Sequence, residues 1–145
     1  MSELVNSLKV SLADTFAFYL KAHNFHCNVT GPNFAEYHKF LGDLWEETFD
    51  AVDTIAEGIR TLDSFAPGSF SRFKELSNIE DETKIPDAIE MIRILEADNK
   101  KVIASLHNSY MLAEKEMKHG ISNFIQDRIT AHEKHGWMLR SFIKA

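Results

Sequence analysis

Apolar residues recur along this chain at helical spacing, and the pattern breaks at four places. Leu4, Leu8, Leu12, Phe16 and Leu20 form a first stripe, with Val5, Tyr19 and Phe25 beside it. Tyr37, Leu41, Leu44, Val52, Ile55, Ile59 and Leu62 form a second. Ile89, Ile92, Leu95, Val102, Leu106 and Met117 make a third, and Ile121, Phe124, Ile125, Ile129, Met138, Leu139, Phe142 and Ile143 a fourth. The breaks fall at Gly31-Pro32, Ala66-Pro67-Gly68, Pro86 and Gly120. The pattern predicts four helices over roughly 3–28, 33–63, 87–119 and 121–144. Gly120 is expected to close the third of them in a sharp reversal, which makes the last two antiparallel neighbours. The segment 64–86 is long for a bundle connection and is expected to carry structure of its own. Phe70, Phe73 and Leu76 are spaced for one short amphipathic helix there. The chain thus reads as an all-α four-helix bundle with a short extra helix in the connection between the second and third long helices. That connection must cross the bundle, because a helix of about 30 residues runs about 45 Å.

Composition narrows this picture. A chain of 145 residues with 44% hydrophobic and 26% charged residues is an ordinary globular sequence, expected as a single domain over 1–145. Its 6 Gly and 3 Pro are too few for a protein built from many tight turns. The single cysteine, Cys27, excludes an intrachain disulfide framework and any Cys-based zinc cluster, and it suits a cytoplasmic location. No run of 18 apolar residues occurs, and Met1-Ser2-Glu3-Leu4-Val5 lacks a basic segment followed by an apolar one, so neither membrane spanning nor export is expected. The net charge of −6 argues against the chain as a whole coating nucleic acid. It leaves two readings open: mutual repulsion that keeps molecules apart in solution, or a preference for cations.

The second helix holds the most informative chemistry. His26, His38, Asp53 and Glu57 are nitrogen and oxygen donors of the kind iron and manganese accept. Asp53 and Glu57, four apart, share a helical face. His38 and Asp53 are separated by about 22 Å along one straight helix, so they cannot grip the same ion within one copy. Two copies of this helix, antiparallel about a two-fold axis near Glu46 and Glu47, would bring His38 of one towards Asp53 and Glu57 of the other. The competing reading is a surface acidic pair and two unrelated histidines.

The context of these residues favours the first reading. His26-Cys27-Asn28-Val29-Thr30-Gly31-Pro32-Asn33-Phe34, followed by His38 and then by Asp53-Thr54-Ile55-Ala56-Glu57, resembles the signature of the Dps family, the mini-ferritins. His132-Glu133-Lys134-His135-Gly136-Trp137-Met138-Leu139-Arg140 is similar to the closing helix of that family, and Pro67-Gly68-Ser69-Phe70 with Ser77-Asn78-Ile79-Glu80 to its short middle helix. The resemblance covers nearly the whole chain. It implies a ferritin-like bundle, assembly into a dodecameric homo-oligomer with a cavity, and oxidation of ferrous iron, often by hydrogen peroxide, at sites between two-fold-related subunits, followed by ferric storage. Asp53 and Glu57 would be the carboxylate ligands of one subunit, with His26 as direct ligand and His38 nearer a weaker second position, both from the partner. Asp127 is placed by the same resemblance at a three-fold pore for iron entry.

Two positions depart from the family pattern. The acidic residue that usually follows the second histidine by four is Gly42 here, and Asp43 lies one residue further, about 100° around the helix. The tryptophan common after the first histidine is Cys27, which reads either as a small packed residue or as an oxidisable thiol. The other histidines carry less. His23 reads as a capping or packing residue, and His107, His132 and His135, with no acidic partner at helical spacing, as packing or surface residues. Glu116 and His119 form the chain's single Glu-x-x-His pair, too little for a metal site inside one subunit. Trp45 and Trp137 sit on apolar faces as core or interface anchors. Direct DNA binding, which in this family rests largely on a lysine-rich arm, is not expected: Lys9 is the only basic residue among the first ten, and the last six hold Arg140 and Lys144. Three functions remain: a peroxide-consuming ferroxidase with iron storage, a cage whose site has degraded and which acts as a metal-binding or structural protein, and a DNA-protecting protein.

Overall fold

A computed structural model describes residues 2–144; the outermost residue at each end of the domain expected over 1–145 lies outside the described residues. Five helices follow in order: α1 (Glu3–Asn28), α2 (Phe34–Thr61), α3 (Phe70–Leu76), α4 (Ala88–Lys115) and α5 (His119–Ile143). The four long ones form the expected bundle, and α3 is the expected short helix between the second and third. Three helices open on a side-chain cap: Ser2 accepts from the amide of Val5, Ser69 from that of Arg72 and Asp87 from that of Glu90. Between α1 and α2 the chain turns through Gly31 and Asn33, both with positive φ.

Buried polar pairs fix the directions of the helices. Ser7 meets Ser109, Ser11 bonds to Ser105 and Ser109, and Lys21 pairs with Asp98 at 2.7 Å, so α1 and α4 run antiparallel. The short α1–α2 turn makes α2 antiparallel to α1 as well, so α2 and α4 are parallel. A crossing connection between them is therefore obligatory. It is held along α1: Phe73 stacks on Phe16 at 4.6 Å, and the fully buried Asp14 accepts hydrogen bonds from Ser77 Oγ, Asn78 N and Asn78 Nδ2 at 2.8, 2.7 and 3.2 Å. Leu4, Leu8, Leu12, Phe18, Phe25, Leu41, Leu44, Ile55, Ile59, Leu95, Leu106 and Leu139 fill the core between the long helices.

Three expectations are corrected. Leu20 does not continue the first stripe but is 43% exposed. A strict spacing of four drifts about 40° per step, so by the fourth step the stripe has turned about 160° away, and Phe18, Ala22 and Phe25 take over the buried face. The reversal before the last helix is made at Met117 (φ 58°), while Gly120 lies inside the first turn of α5. Met117 is accordingly 72% exposed at the turn and takes no part in the third stripe. No described helix is long and apolar enough to cross a membrane.

Candidate metal centre

The end of α1 and the start of α2 bring His26 and His38 together. Their rings stack with centroids 3.9 Å apart and planes inclined by 15°. Each ring bonds to the other residue's backbone: His26 Nδ1 lies 2.7 Å from the His38 carbonyl oxygen, and His38 Nδ1 lies 2.8 Å from that of His26. A carbonyl oxygen only accepts, so each Nδ1 carries a hydrogen, and Nε2 is the ring nitrogen left over for another partner. A second hydrogen bond of this kind is what orients an imidazole for metal ligation. Phe34 stacks on the outer side of His38 at 5.2 Å. His23 packs edge-on against Trp45 at 4.7 Å, and its Nε2 lies 3.8 Å from Cys27 Sγ.

Asp53 and Glu57 sit on the far half of α2, both exposed, and neither has an ion-pair or hydrogen-bond partner among the described residues. They continue an outward acidic line that sequence inspection passed over: Asp43, Glu46, Asp50, Asp53 and Glu57, all exposed, recur at spacings of three and four and fall within an arc of about 80°. Of these only Asp43 is paired, with Lys39 at 3.1 Å on the surface. Like charges at this spacing repel, and bound cations relieve the repulsion.

One chain does not complete a site. Among the described residues no three His, Cys, Asp or Glu side chains close on one point. His38, Gly42, Asp53 and Glu57 nevertheless lie on one flank of α2, within an arc of about 100°. They are also arranged symmetrically in sequence about positions 47 and 48. Asp127 is exposed on α5, and His107 is exposed on α4.

A second polar group lies inside the bundle. Arg128 and His135 of α5 both reach Glu47 of α2, Arg128 through both terminal nitrogens and His135 through Nε2 at 2.7 Å. Arg128 Nη2 also donates to His132 Nε2 at 3.1 Å, and His132 Nδ1–H donates to Asn99 Oδ1 at 2.9 Å. Asn99 Nδ2 returns a bond to the His132 carbonyl at 2.8 Å. Burial opposes ionisation of Glu47, but the hydrogen bonds from His135 and Arg128, with their charges, outweigh it and hold the carboxyl well below its ordinary range. Burial, reinforced by the Arg128 charge, pushes His132 well below 6.5, so it stays neutral. His132 and His135 are thus neither plain packing nor surface residues. His135 finds its acidic partner on another helix, and His132 bonds to Arg128 and Asn99. The available signal was Arg128, His132 and His135 recurring at spacings of four and three inside an otherwise apolar stripe.

Comparison with known proteins agrees with this architecture. A family model described as the ferritin-like domain matches residues 5–145. An uncharacterized low temperature-induced protein of Nostoc sp. is 30% identical over 97% of this chain and 80% of its own length. DNA protection during starvation protein 2 of Bacillus anthracis is 27% identical over 97% of each chain. The crystal structure of the Dps protein from Vibrio cholerae O1, described as a member of a broad superfamily of ferritin-like diiron-carboxylate proteins, superposes with a TM-score of 0.93 at 27% identity, covering 98% of this chain and 89% of that one. With its long-helix order, its short middle helix and its full-length match, the chain belongs to the ferritin-like proteins and, among them, to the Dps family.

Proposed function

We propose that this protein is a ferroxidase and iron store: two-fold-related copies join His26 and His38 of one subunit to Asp53 and Glu57 of the other, and twelve subunits close a cage around the ferric product. The observation that carries this reading is the state of the donors. Two imidazoles are oriented by their backbone bonds with Nε2 left over, and two carboxylates one turn apart have no partner among the described residues. All four lie on or beside one flank of α2, in an order that antiparallel pairing completes. Neutral imidazole and carboxylate suit ferrous iron, and carboxylate favours the harder ferric product. Two ferrous ions supply the two electrons that cleave the O–O bond of hydrogen peroxide. Water provides the remaining oxygen ligands, and protons leave as the ferric oxyhydroxide forms. The acidic line on α2 supplies the charge that attracts the substrate. Protection of DNA, the role stated in the name of the Bacillus anthracis relative, would follow here from removing ferrous iron and peroxide together rather than from coating DNA with a chain of net charge −6.

The test is complementation between subunits. Asp53→Ala and His26→Ala proteins each lose peroxide-dependent ferrous oxidation. When the two are dissociated and reassembled together, a mixed two-fold pair holds one intact centre and one doubly damaged centre, and part of the activity returns. Wild-type subunits carried through the same reassembly control for damage. Mixtures that stay inactive beside an active control would show that the ligands do not come from two chains. Anaerobic titration with ferrous iron, followed by peroxide, counts the ions bound per subunit.

A further inference from the structure

Gly42 lies one turn after His38, where a carboxylate side chain would be the obvious way to add a ligand. The packing around it shows a different role. A Cβ at Gly42 would lie 2.9 Å from Cε1 of His26, closer than Cβ atoms approach their neighbours in folded proteins, and a tight 3.1 Å from its Nδ1. The ring therefore rests directly on the backbone of α2. It has little freedom to yield. Its Nδ1 is bonded to the His38 carbonyl, one face is stacked on the His38 ring, and Trp45 stands beside it with centroids 6.4 Å apart. A side chain at position 42 therefore requires the imidazole to move, against the hydrogen bond and the stacking that tie it to His38.

We propose that Gly42 is a positioning residue of the metal centre: its missing side chain is the seat on which His26 is held, and any larger residue there, aspartate included, lowers the affinity for a divalent cation. This rests on the ligand role proposed above for His26. Gly42 is then no vacancy left by a lost ligand. The two readings predict opposite signs for Gly42→Asp.

The probe is Co2+, which shares the nitrogen and oxygen preference of ferrous iron, is not oxidised by air in this donor set, and is followed by its visible absorption. Affinity is measured on the assembled, metal-free protein for wild type, Gly42→Ala, Gly42→Asp, His26→Ala, the double variant His26→Ala/Gly42→Ala, and Gly120→Ala. At Gly120 an added Cβ meets nothing within 4 Å. Gly42→Ala should weaken Co2+ binding about tenfold or more, the range for disturbing the orientation of a ligand. Gly42→Asp should weaken it at least as much despite its extra carboxylate, and Gly120→Ala should leave it unchanged. In the His26→Ala background, Gly42→Ala should add nothing, because its effect passes through that ring. A metal-free crystal structure of Gly42→Ala should show the His26 ring parted from the His38 carbonyl. If the clash also destabilises the single variant, the double variant should recover the loss, since alanine is itself the better helix former. Unchanged affinity in Gly42→Ala, or tighter binding in Gly42→Asp, would overturn the inference while leaving the centre intact. Co2+ binding that survives His26→Ala undiminished would instead remove the centre, and this inference with it.

Discussion

Two polar groups on α2 are built from similar residues and end in opposite states. Glu47 faces the interior with Arg128, His132, His135 and Asn99, and nearly every donor there has found its acceptor. The Arg128 guanidinium supplies the positive charge that Glu47 faces. A few turns away along α2, His38, stacked on His26 of α1, and Asp53 and Glu57 are in another state: both imidazoles leave Nε2, and both carboxylates, without a partner among the described residues. The interior group spends its bonding capacity on holding α2 to α5. The outer residues retain theirs, as the proposed metal centre requires. The difference teaches that residue type alone does not mark a metal centre: the mark is donors oriented by the fold and left unsatisfied by it.

If that contrast is right, the two groups respond to mutation in opposite ways. The largest effect is expected from Asp53→Ala or Glu57→Ala, which should each reduce peroxide-dependent ferrous oxidation about 100-fold or more by removing a charged ligand. The thermal midpoint should stay within a degree or two, because both side chains are exposed. Stability loss comparable to that of an interior substitution would break the comparison. Arg128→Met should do the reverse. It strips Glu47 of its main cation and His132 of a donor, at a cost of about 2–3 kcal/mol. That is less than for a fully buried pair, since the Glu47 side chain is 40% exposed and water partly screens it. Denaturant unfolding should register the loss while ferrous oxidation per folded subunit is retained.

Acid sharpens the comparison further. His132 has a folded pKa below its unfolded value near 6.5, so its contribution to stability is complete above that value and is lost as pH falls through and below it. Glu47 has the same sign, because its carboxyl is held below the ordinary 4.5; its contribution is present above 4.5 and drains away at lower pH. The thermal midpoint should therefore fall in two stages on acidification, and His132→Gln should flatten the upper one. A flat profile between about pH 7 and pH 5 in the wild type would place His132 in a different environment. The smallest effect is expected at Asp127. If it lines a pore, Asp127→Asn should slow iron uptake a few-fold in stopped-flow absorbance and leave equilibrium binding unchanged. Equal uptake rates would place iron entry elsewhere.

The helices were legible because the chain marks them in two ways, by apolar spacing and by scarce glycine and proline. Where one mark misled, the other could not correct it. Gly120 suggested a reversal that Met117 makes instead, since a residue with a Cβ can be held in the left-handed region when both helices packed around it require the turn. Leu20 followed a spacing of four past the point where that spacing leaves the core face. The candidate ligands could be read from motif and spacing, but the bonds that orient His26 and His38 could not, because their acceptors are backbone carbonyls and carry no residue identity. Nor could the pairing of Glu47 with Arg128, which spans 81 positions and depends on which helices lie opposite each other.

The Asp14 clamp divides the molecule. By pinning Ser77 and Asn78 to the middle of α1, it makes α3 and its flanks part of the first helical hairpin and leaves the mostly exposed run 80–86 as the seam to the second. His26, His38, Asp53 and Glu57 all fall before that seam, and Asn99, Arg128, His132 and His135 all fall after it. The first hairpin thus carries all four proposed ligands and the second braces it, through the Ser7, Ser11 and Lys21 contacts of α1 with α4 and through Glu47 of α2 with α5. A backbone cut within the seam would separate the two roles along the chain without severing a single helix.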